Sequence, residues 1–400
     1  MSGTHTAAPD TGSAHATPAI RALLFGNFVI GTGVMLLVGM LNEIAGELGV
    51  SVPTAGQLVG VAALAMCIGA PLAAAFTSRI DRRRLLLAAL GLFGAGHAAC
   101  ALAGDFATLA VLRPVSVIGA AVFTPQAAAT IGLLVPAHRR SGALTTIFLG
   151  WSLASVIGMP AGSLIAGYAS WRAGFVVVAL LSGVAMLWIS RVIPKGLRVP
   201  ALSLASWLEV ARSPRLSRVL AVTLLSASGQ FVLLAYIAPA LRDAVAASPA
   251  QLAAFMAGNG AFGVLGNALA SRGIGRLGPD RTVMAALLAI AFGLLFWALA
   301  VGTSTGWPLL ALTAILWGAG SFGSNSAQQA RLAASAPALS SASIALNTSG
   351  MYAGQVVGAA LGGTVIALSG YAPLGWVALA FVAASISCSW LADRAAKARP

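Results

Sequence analysis

The chain is divided into apolar stretches of about 20 residues, the length of helix that crosses a bilayer. Inside a membrane every backbone N–H and C=O must find its partner within the protein, so such stretches form α-helices. Charged residues make up 8% of the chain, against about a quarter of a soluble domain. The sequence therefore predicts an all-α membrane protein with twelve transmembrane helices. They fall near 20–42, 55–78, 85–104, 107–135, 141–168, 173–192, 217–240, 250–271, 282–302, 307–330, 341–368 and 374–392.

The stretches divide into two sets of six, separated by the polar segment 193–216. The two sets echo each other weakly: Gly-Met-Pro-Ala-Gly at 158–162 is followed 200 residues later by Gly-Ala-Ala-Leu-Gly at 358–362. Gly-Asn-Phe at 26–28 likewise resembles Gly-Gln-Phe at 229–231. Two six-helix repeats around a central cavity are a common plan for membrane carriers. We therefore expect two pseudo-symmetric six-helix bundles.

Basic residues are distributed unevenly between the two sides of the predicted membrane. With both termini on the same side, all but three of the 23 Lys and Arg fall on that side. The exceptions are Arg172 and Arg242 on the other side and Arg113 inside a span. Such an asymmetry predicts cytoplasmic termini, and it assigns the net charge of +14 to topology and anionic lipid headgroups, with no binding of nucleic acid. The predicted divisions are a disordered cytoplasmic tail at 1–19, a bundle at 20–192, a cytoplasmic linker at 193–216, a bundle at 217–392 and a cytoplasmic tail at 393–400.

Arg113 lies in the fourth apolar stretch, within Leu-Ala-Val-Leu-Arg-Pro-Val-Ser at 109–116. An arginine in hydrocarbon is unfavourable by about 2.5 kcal/mol or more, so Arg113 should face a protein interior or a water-filled cavity. A charge placed there is a candidate functional site. The alternative is a structural role, in which Arg113 caps carbonyl groups or extends to the near interface from about two turns inside its helix.

Three motifs together resemble the major facilitator superfamily, and within it the twelve-span drug:proton antiporters of the arabinose/chloramphenicol efflux permease type. They are Leu-Ala-Val-Leu-Arg at 109–113, Gly-Trp-Ser-Leu-Ala-Ser-Val-Ile-Gly-Met-Pro-Ala-Gly at 150–162 and Trp-Arg-Ala-Gly-Phe at 171–175. The resemblance covers 20–392. The first motif departs at Ser116-Val117, where the superfamily has Gln-Gly.

The resemblance implies a proton-driven carrier in the inner membrane of a bacterium, exporting small organic molecules by rocking one bundle against the other. A facilitator or symporter for a sugar or another small metabolite is the alternative. The implied partners are a small-molecule substrate, protons and membrane lipids; we expect a monomer without a cofactor. The sequence has no GxxxxGK[ST] phosphate loop, no HExxH motif and no Cys/His cluster, so an enzyme or an ATP-driven pump is not expected.

Acidic residues are missing from the centres of the predicted spans. The candidates for proton coupling are therefore Arg113, His97 and Glu43, although a lone histidine among small residues is more often structural. A neutral, zwitterionic or anionic substrate is favoured over a permanent cation. In the superfamily, spans one, four, seven and ten line the cavity, and each polar residue there could instead bond between helices. The candidate substrate-binding residues on these spans are Asn27, Met35, Thr124, Gln126, Gln230, Tyr236, Asn325 and Gln328.

The loop after the second span resembles the superfamily pattern Gly-x-Leu-x-Asp-Arg-x-Gly-Arg-Arg. Arg79, Arg82 and Arg83 match, but Ser78 replaces the aspartate and Asp81 replaces the second glycine. The resemblance implies a gating loop that latches the outward-open state, and Asp81 could pair with a loop arginine instead. A solvated basic loop is the alternative.

The glycine motif of the fifth span comprises Gly150, Gly158, Pro160 and Gly162. Gly158 and Gly162 share one helix face, and Pro160 removes a backbone donor between them. This spacing suits close helix packing and a bend. The resemblance places that face at the interface between the two halves.

Overall fold

A computed structural model of the chain describes residues 11–77, 79–198, 204–301, 303 and 306–397. Twelve long helices, named α1 to α12 here, run through these residues in chain order. In the first half they are α1 Thr11–Met35, α2 Val52–Phe76, α3 Arg82–Ala101, α4 Phe106–Leu134, α5 (Ala137–Leu153, the π turn Ala154–Gly158 and Met159–Tyr168) and α6 Trp171–Val192. In the second half they are α7 Pro214–Leu234, α8 Pro249–Leu277, α9 Pro279–Ala300, α10 Gly306–Ser335, α11 Ser340–Ser369 and α12 Leu374–Lys397.

Short polar segments between the apolar runs start the helices. In six of them a serine or aspartate side chain accepts a hydrogen bond from a backbone N–H of the first turn, which satisfies one of the donors that a helix start leaves free. These N-caps are Ser51, Asp81, Asp105, Ser170, Ser213 and Ser248. The helix starts therefore follow from local sequence.

Eleven of the helices are apolar and long enough to cross a membrane, judged over the described residues. The other is α10, which has 30 residues but a lower mean hydropathy. Its second half carries Ser321, Ser324, Asn325 and Gln328, and these side chains line one cavity. The twelve-helix, all-α prediction is confirmed, and the polar side chains of α10 are the ones that border this cavity.

The two sets of six helices pack in the same way. In the first half α1 packs on α5, α3 on α4 and α2 on α4; in the second half α7 packs on α11, α9 on α10 and α8 on α10. The halves meet along two helix pairs, α2 with α11 and α5 with α8. The weak sequence similarity between the two halves therefore corresponds to a repeated packing pattern.

The two ends of the bundle differ in charge. One end, the basic end, carries the loop at 79–84, the loop at 135–140 and the described segments 193–198 and 204–213. The other, the opposite end, carries two short helices, Leu41–Glu47 after α1 and Ile237–Val245 after α7.

The helix boundaries differ from the predicted divisions. Residues 11–19, predicted as a disordered tail, are helical in α1, while residues 1–10 lie outside the described residues. The predicted linker contains a short helix, Leu204–Arg212, whose Val210 is buried against Leu216 and Val219 of α7. An apolar side chain on one face anchors that helix to the second bundle. Likewise α12 extends into the predicted terminal tail.

Candidate functional site

Arg113 is buried within α4, with 1% of its surface exposed. Its Nη2 donates to the carbonyl oxygens of Gly33 at 2.9 Å and Val34 at 3.2 Å. Both carbonyls lie in the last turn of α1, where an α-helix leaves its carbonyls without intrahelical partners and where the negative end of its dipole lies. The end of α1 therefore holds the guanidinium inside the protein, which is the carbonyl-capping arrangement that the sequence left open.

His97 of α3 is the side-chain partner of Arg113. Its Nε2 lies 3.2 Å from Nη1 of Arg113, and its Nδ1 lies 2.7 Å from the carbonyl oxygen of Phe93. A guanidinium can only donate, so the bond from Arg113 assigns the ring proton to Nδ1, which donates to Phe93. The carbonyl oxygen of Gly33 lies 3.3 Å from Nε2 and receives its hydrogen bond from Arg113 instead. A second proton on Nε2 would break the bond from Arg113 and bring two positive charges together. This contact is therefore sensitive to the protonation of His97.

The charge of Arg113 is balanced by dipoles. Arg113 takes part in none of the four ion pairs between described residues, and the ring of Phe175 lies 5.8 Å from its guanidinium carbon. The four pairs are Arg172–Glu47, Arg242–Glu43, Arg331–Asp280 and Arg331–Asp393. The Arg113–His97 contact thus keeps a net positive charge within the first half.

A second polar cluster in the first half joins α1, α4 and α5. Asn27 is fully buried; its Nδ2 donates to the carbonyl oxygen of Ile147 at 3.1 Å, and its Oδ1 accepts from the hydroxyl of Thr124 at 2.9 Å. The indole N–H of Trp151 donates to the same hydroxyl at 3.2 Å. The structure thus brings Asn27 and Thr124 together and adds Trp151, which the sequence did not single out.

A cavity of about 60 Å³, partly open to its surroundings, lies within the second half, between α7, α9, α10 and α11. Three of the predicted substrate-binding residues line it: Gln230, Asn325 and Gln328. Gln230 accepts hydrogen bonds from the indole N–H of Trp317 at 3.2 Å and from the hydroxyl of Ser321 at 2.5 Å. The remaining lining residues are Val222, Thr223, Ser226, Ala227, Val283, Leu287, Ser321, Ser324 and Met351.

The other three predicted substrate-binding residues lie elsewhere. Met35 is half-buried at the end of α1, and Gln126 accepts a hydrogen bond from Arg82 at the basic end. Tyr236 is fully buried toward the opposite end, where its hydroxyl donates to the carbonyl oxygen of Ala359 at 2.8 Å and lies 3.5 Å from that of Pro53. Tyr236 therefore packs between α2 and α11, at the interface of the two halves.

The loop before α3 is tied to its own half. Arg82 bonds to Gln126 of α4, and Arg83 donates to the carbonyl oxygen of Ser190 in α6. Arg79 is exposed, and Ser78 lies outside the described residues. Neither of these two contacts reaches the second half. The role of this loop in latching the outward-open state therefore stays a prediction.

Asp81 binds backbone amides, where the sequence suggested a loop arginine. Its carboxylate accepts from the N–H of Arg84 at 3.0 Å and of Gly196 at 2.5 Å. Partial burial raises the pKa of Asp81, but these backbone hydrogen bonds outweigh that effect and hold the pKa below its ordinary value. Asp81 thus caps α3 and fastens the segment after α6 to it.

The glycine face of α5 packs within the first half, which corrects the predicted position at the interface between halves. A Cβ at Gly158 would meet Thr32 of α1, and one at Gly162 would meet Leu36, which follows α1. Gly150 likewise lies against α1. The reason is geometric: residues four apart share one helix face, and that face points at α1. Pro160 follows the π turn Ala154–Gly158, as expected for a residue that lacks a backbone donor.

Other residues of α5 form the interface between halves. A Cβ at Gly260 of α8 would meet the backbone of Ser155 and Val156, and Gly167 of α5 lies against Pro249 of α8. Helix α5 therefore lies at the interface between the halves, but through residues other than the glycine face that was predicted to lie there.

An ion pair joins the two halves at the opposite end. Glu43, on the short helix after α1, pairs with Arg242, on the short helix after α7. The other three ion pairs between described residues lie within one half. Glu43 was a sequence candidate, and Arg242 was not. One sequence feature could have identified Arg242: it is one of only two arginines assigned to that side of the membrane.

The described residues contain no group of three or more His, Cys, Asp or Glu placed to hold a metal ion.

Known proteins resemble the chain over most of its length. The Major Facilitator Superfamily profile matches residues 23–343. The inner membrane transport protein YdhP of Escherichia coli K12 is 31% identical over 357 residues, which cover 87% of this chain and 88% of that protein. A chloramphenicol resistance protein of Streptomyces lividans is 32% identical over 289 residues, which cover 71% and 70%. Among solved structures, a D-xylose–proton symporter superposes with a TM-score of 0.77 at 16% identity, covering 94% of this chain and 97% of that one.

Proposed function

Because the chain belongs to the major facilitator superfamily of membrane transporters, we propose that it is a proton-coupled carrier that exports small organic molecules. The similarity to a chloramphenicol resistance protein supports export of a drug-like molecule. The similarity to an inner membrane transport protein supports the plasma membrane of a bacterium as its location. The chain would act there as a monomer among anionic lipids.

The observation that best supports proton coupling is the contact between Arg113 and His97 inside the first half. A proton arriving on Nε2 of His97 would displace Arg113, which also holds the last turn of α1 through Gly33 and Val34. That turn continues through the 3₁₀ turn Leu36–Gly39 into the short helix that bears Glu43. Protonation of His97 would in this way move the contact that joins the halves at the opposite end.

Alternating access follows from the arrangement of contacts between the halves. The Glu43–Arg242 pair and the Tyr236 contacts join the halves toward the opposite end. The asymmetry of basic residues supports a cytoplasmic basic end and cytoplasmic termini. The arrangement then corresponds to an inward-facing state, with 20–192 rocking against 217–392 to reach the outward-facing one. The substrate cavity would be the one lined by Gln230, Asn325 and Gln328.

Transport into inside-out vesicles tests the proposal. Vesicles from an efflux-deficient host that expresses the chain would be given a panel of drugs and sugars, with radiolabelled chloramphenicol as the first probe. We expect accumulation that collapses with a protonophore and continues without ATP while the proton gradient is held. Net accumulation that persists without the gradient would contradict proton antiport. Movement of sugars alone, without accumulation, would favour the facilitator alternative.

A further inference from the structure

The Trp-Arg-Ala-Gly-Phe motif at 171–175 forms the start of α6, near the opposite end. Its last residue, Phe175, is fully buried, and its ring centroid lies 5.7 Å from that of His97 and 5.8 Å from the guanidinium carbon of Arg113. Trp171 packs edge-on against Phe175, with the ring centroids 5.9 Å apart. One side of the motif therefore packs directly against the two groups of the proposed proton coupling.

The middle of the motif packs against the segment that follows α1. An added Cβ at Gly174 would stand 2.9 Å from the sulfur of Met40 and 3.1 Å from the side chain of Leu36. Leu36 begins the 3₁₀ turn after α1, and Met40 directly precedes the short helix Leu41–Glu47. The absence of a side chain at position 174 thus lets α6 approach both elements closely.

The first two residues of the motif bind the carboxylate of Glu47, at the end of that short helix. The indole N–H of Trp171 donates to Oε2 at 2.7 Å, and Arg172 forms an ion pair with Oε1. Arg172 also donates to the carbonyl oxygen of Ala103 at 2.8 Å, and its guanidinium carbon lies 4.2 Å from the ring centroid of Trp171. The two oxygens of Glu47 are thus both bound by the start of α6, and these contacts form the Glu47 clamp.

The same short helix reaches the second half through Glu43, which pairs with Arg242. Glu43 and Glu47 are four residues apart, about one helical turn, so the position of one carboxylate constrains the position of the other. Buried Leu41 and Ile44 attach the start and middle of this seven-residue helix, and the Glu47 clamp attaches its last residue. The helix is therefore fixed to the first half at one carboxylate and meets the second half at the other.

We propose that Trp171 and Arg172 are positioning residues of the transport cycle: through Glu47 they orient the short helix so that Glu43 meets Arg242 when the opposite end is closed. This inference rests on the proposed transport function and gives the motif a role in it. The motif joins the proton-coupling site to the closing end through a single helix start, so a movement of α6 at one of them is felt at the other.

Distances between two spin labels, measured on the purified full chain in lipid nanodiscs, test this inference. The labels are carried by Leu102→Cys and Ala372→Cys in a chain without its native cysteines. Both positions are exposed, one on each half, in connections between helices at the opposite end. Neither lies on a short helix, so the areas of the short- and long-distance peaks report the balance between its closed and open states.

The first variant is Glu47→Ala; the side chain of Glu47 is 48% exposed, so we expect the variant to fold. The second is Trp171→Phe, which keeps an aromatic ring but lacks the N–H donor to Glu47. The matched control is Glu209→Ala, which removes an exposed glutamate at the basic end. Each variant is also made in a Glu43→Gln background.

We expect Glu47→Ala to shift the balance about threefold toward the open state, and no further than Glu43→Gln does, because the clamp acts through Glu43. Trp171→Phe should shift it about twofold, and Glu209→Ala should leave it unchanged. Combining Glu47→Ala with Glu43→Gln should give the shift of Glu43→Gln alone. Two independent structural effects would multiply instead, to about tenfold.

An unchanged balance in Glu47→Ala, or a multiplied shift in the double variant, would overturn the inference. If Glu47→Ala does not fold, Trp171→Phe decides in the same way, with and without Glu43→Gln. Proton-driven export together with an unchanged balance would refute the clamp and leave the proposed function standing. The expected shifts in a chain without proton-driven export would do the reverse.

Discussion

Arg113 in the first half and Arg331 in the second are buried to nearly the same degree, 1% and 3% exposed, but they are neutralised differently. Arg331 pairs with Asp280 at 2.8 Å and with Asp393, and it donates to the hydroxyl of Ser389 at 3.1 Å. Arg113 has backbone carbonyls and the ring of His97. Burial alone therefore does not distinguish the two arginines; the nature of the partner does.

The difference decides how each site responds to a proton. Arg331 lies beside two carboxylates, which carry the opposite charge, and no second cationic side chain bonds to it among the described residues. At Arg113 a proton on His97 would place two positive charges about 3 Å apart, a repulsion of about 5 kcal/mol at an effective dielectric near 20. That is enough to displace a side chain. Arg113 is thus suited to coupling, and Arg331 to holding α9, α10 and α12 together.

The largest effect is expected for Arg113→Ala. We expect active export of a transported probe to fall at least about a hundredfold, because the last turn of α1 and His97 lose their shared donor. Expression, membrane insertion and elution as a folded protein should stay intact. Export at the wild-type rate, with an intact gradient, would make Arg113 purely structural and remove the contrast with Arg331.

Arg331→Ala should act on folding. Removing the guanidinium takes one ionic contact from each of the two carboxylates, which destabilises the fold by about 2 kcal/mol; the effect is below that of a fully buried pair because Asp280 is largely exposed. The thermal unfolding midpoint measured in detergent should fall, while export per folded molecule stays within about threefold. A stable variant that has lost export would show that Arg331 also takes part in transport.

His97→Gln sharpens the comparison by keeping an acceptor for Arg113 while removing the imidazole that could take up a second proton. We expect proton-driven export to fall about tenfold, within the range of a lost proton-transfer group. Counterflow of labelled substrate, which needs no gradient, should continue. If both activities survive unchanged, the imidazole serves only to orient Arg113.

The smallest effect is expected at the half-buried pair, Glu43 with Arg242. Glu43→Gln removes the charge but keeps an oxygen that accepts from Arg242, so we expect a loss of about 1 kcal/mol, which shifts the balance between the two states about three- to fivefold toward the one open at the opposite end. Spin labels at Gly46→Cys and Ala246→Cys, in a chain without its native cysteines, would report the distance between the two short helices. Equal distance distributions with and without Glu43 would exclude a gating role for the pair.

The sequence was sufficient to predict features that depend on a single helix or a single side chain. Apolar length placed the spans, and a charge within an apolar stretch singled out Arg113. These features depend on residues close together in the chain, so they can be predicted from the rules of helix formation and membrane insertion.

Features that depend on packing were not predictable in this way. The spacing of Gly158 and Gly162 defines a helix face, but which neighbour that face meets depends on how α5 is rotated against α1. Tyr236 looked like a cavity residue because it follows α7, yet the turn after that helix directs it between α2 and α11. Arg242 meets Glu43 across 199 positions of sequence. The polar half of α10 was visible, but its cavity became apparent only once α7 and α11 were in place.

The central claim, that the Arg113–His97 contact couples protons to export, is tested most directly by measuring both fluxes at once. Proteoliposomes loaded with the pH dye pyranine would hold either the wild-type chain or Arg113→Ala, with an outwardly directed gradient of a labelled substrate. For the wild-type chain we expect substrate efflux accompanied by proton movement in the opposite direction. For Arg113→Ala we expect substrate exchange to continue without proton movement. Wild-type efflux with no proton movement, or the same proton movement in Arg113→Ala, would contradict the claim.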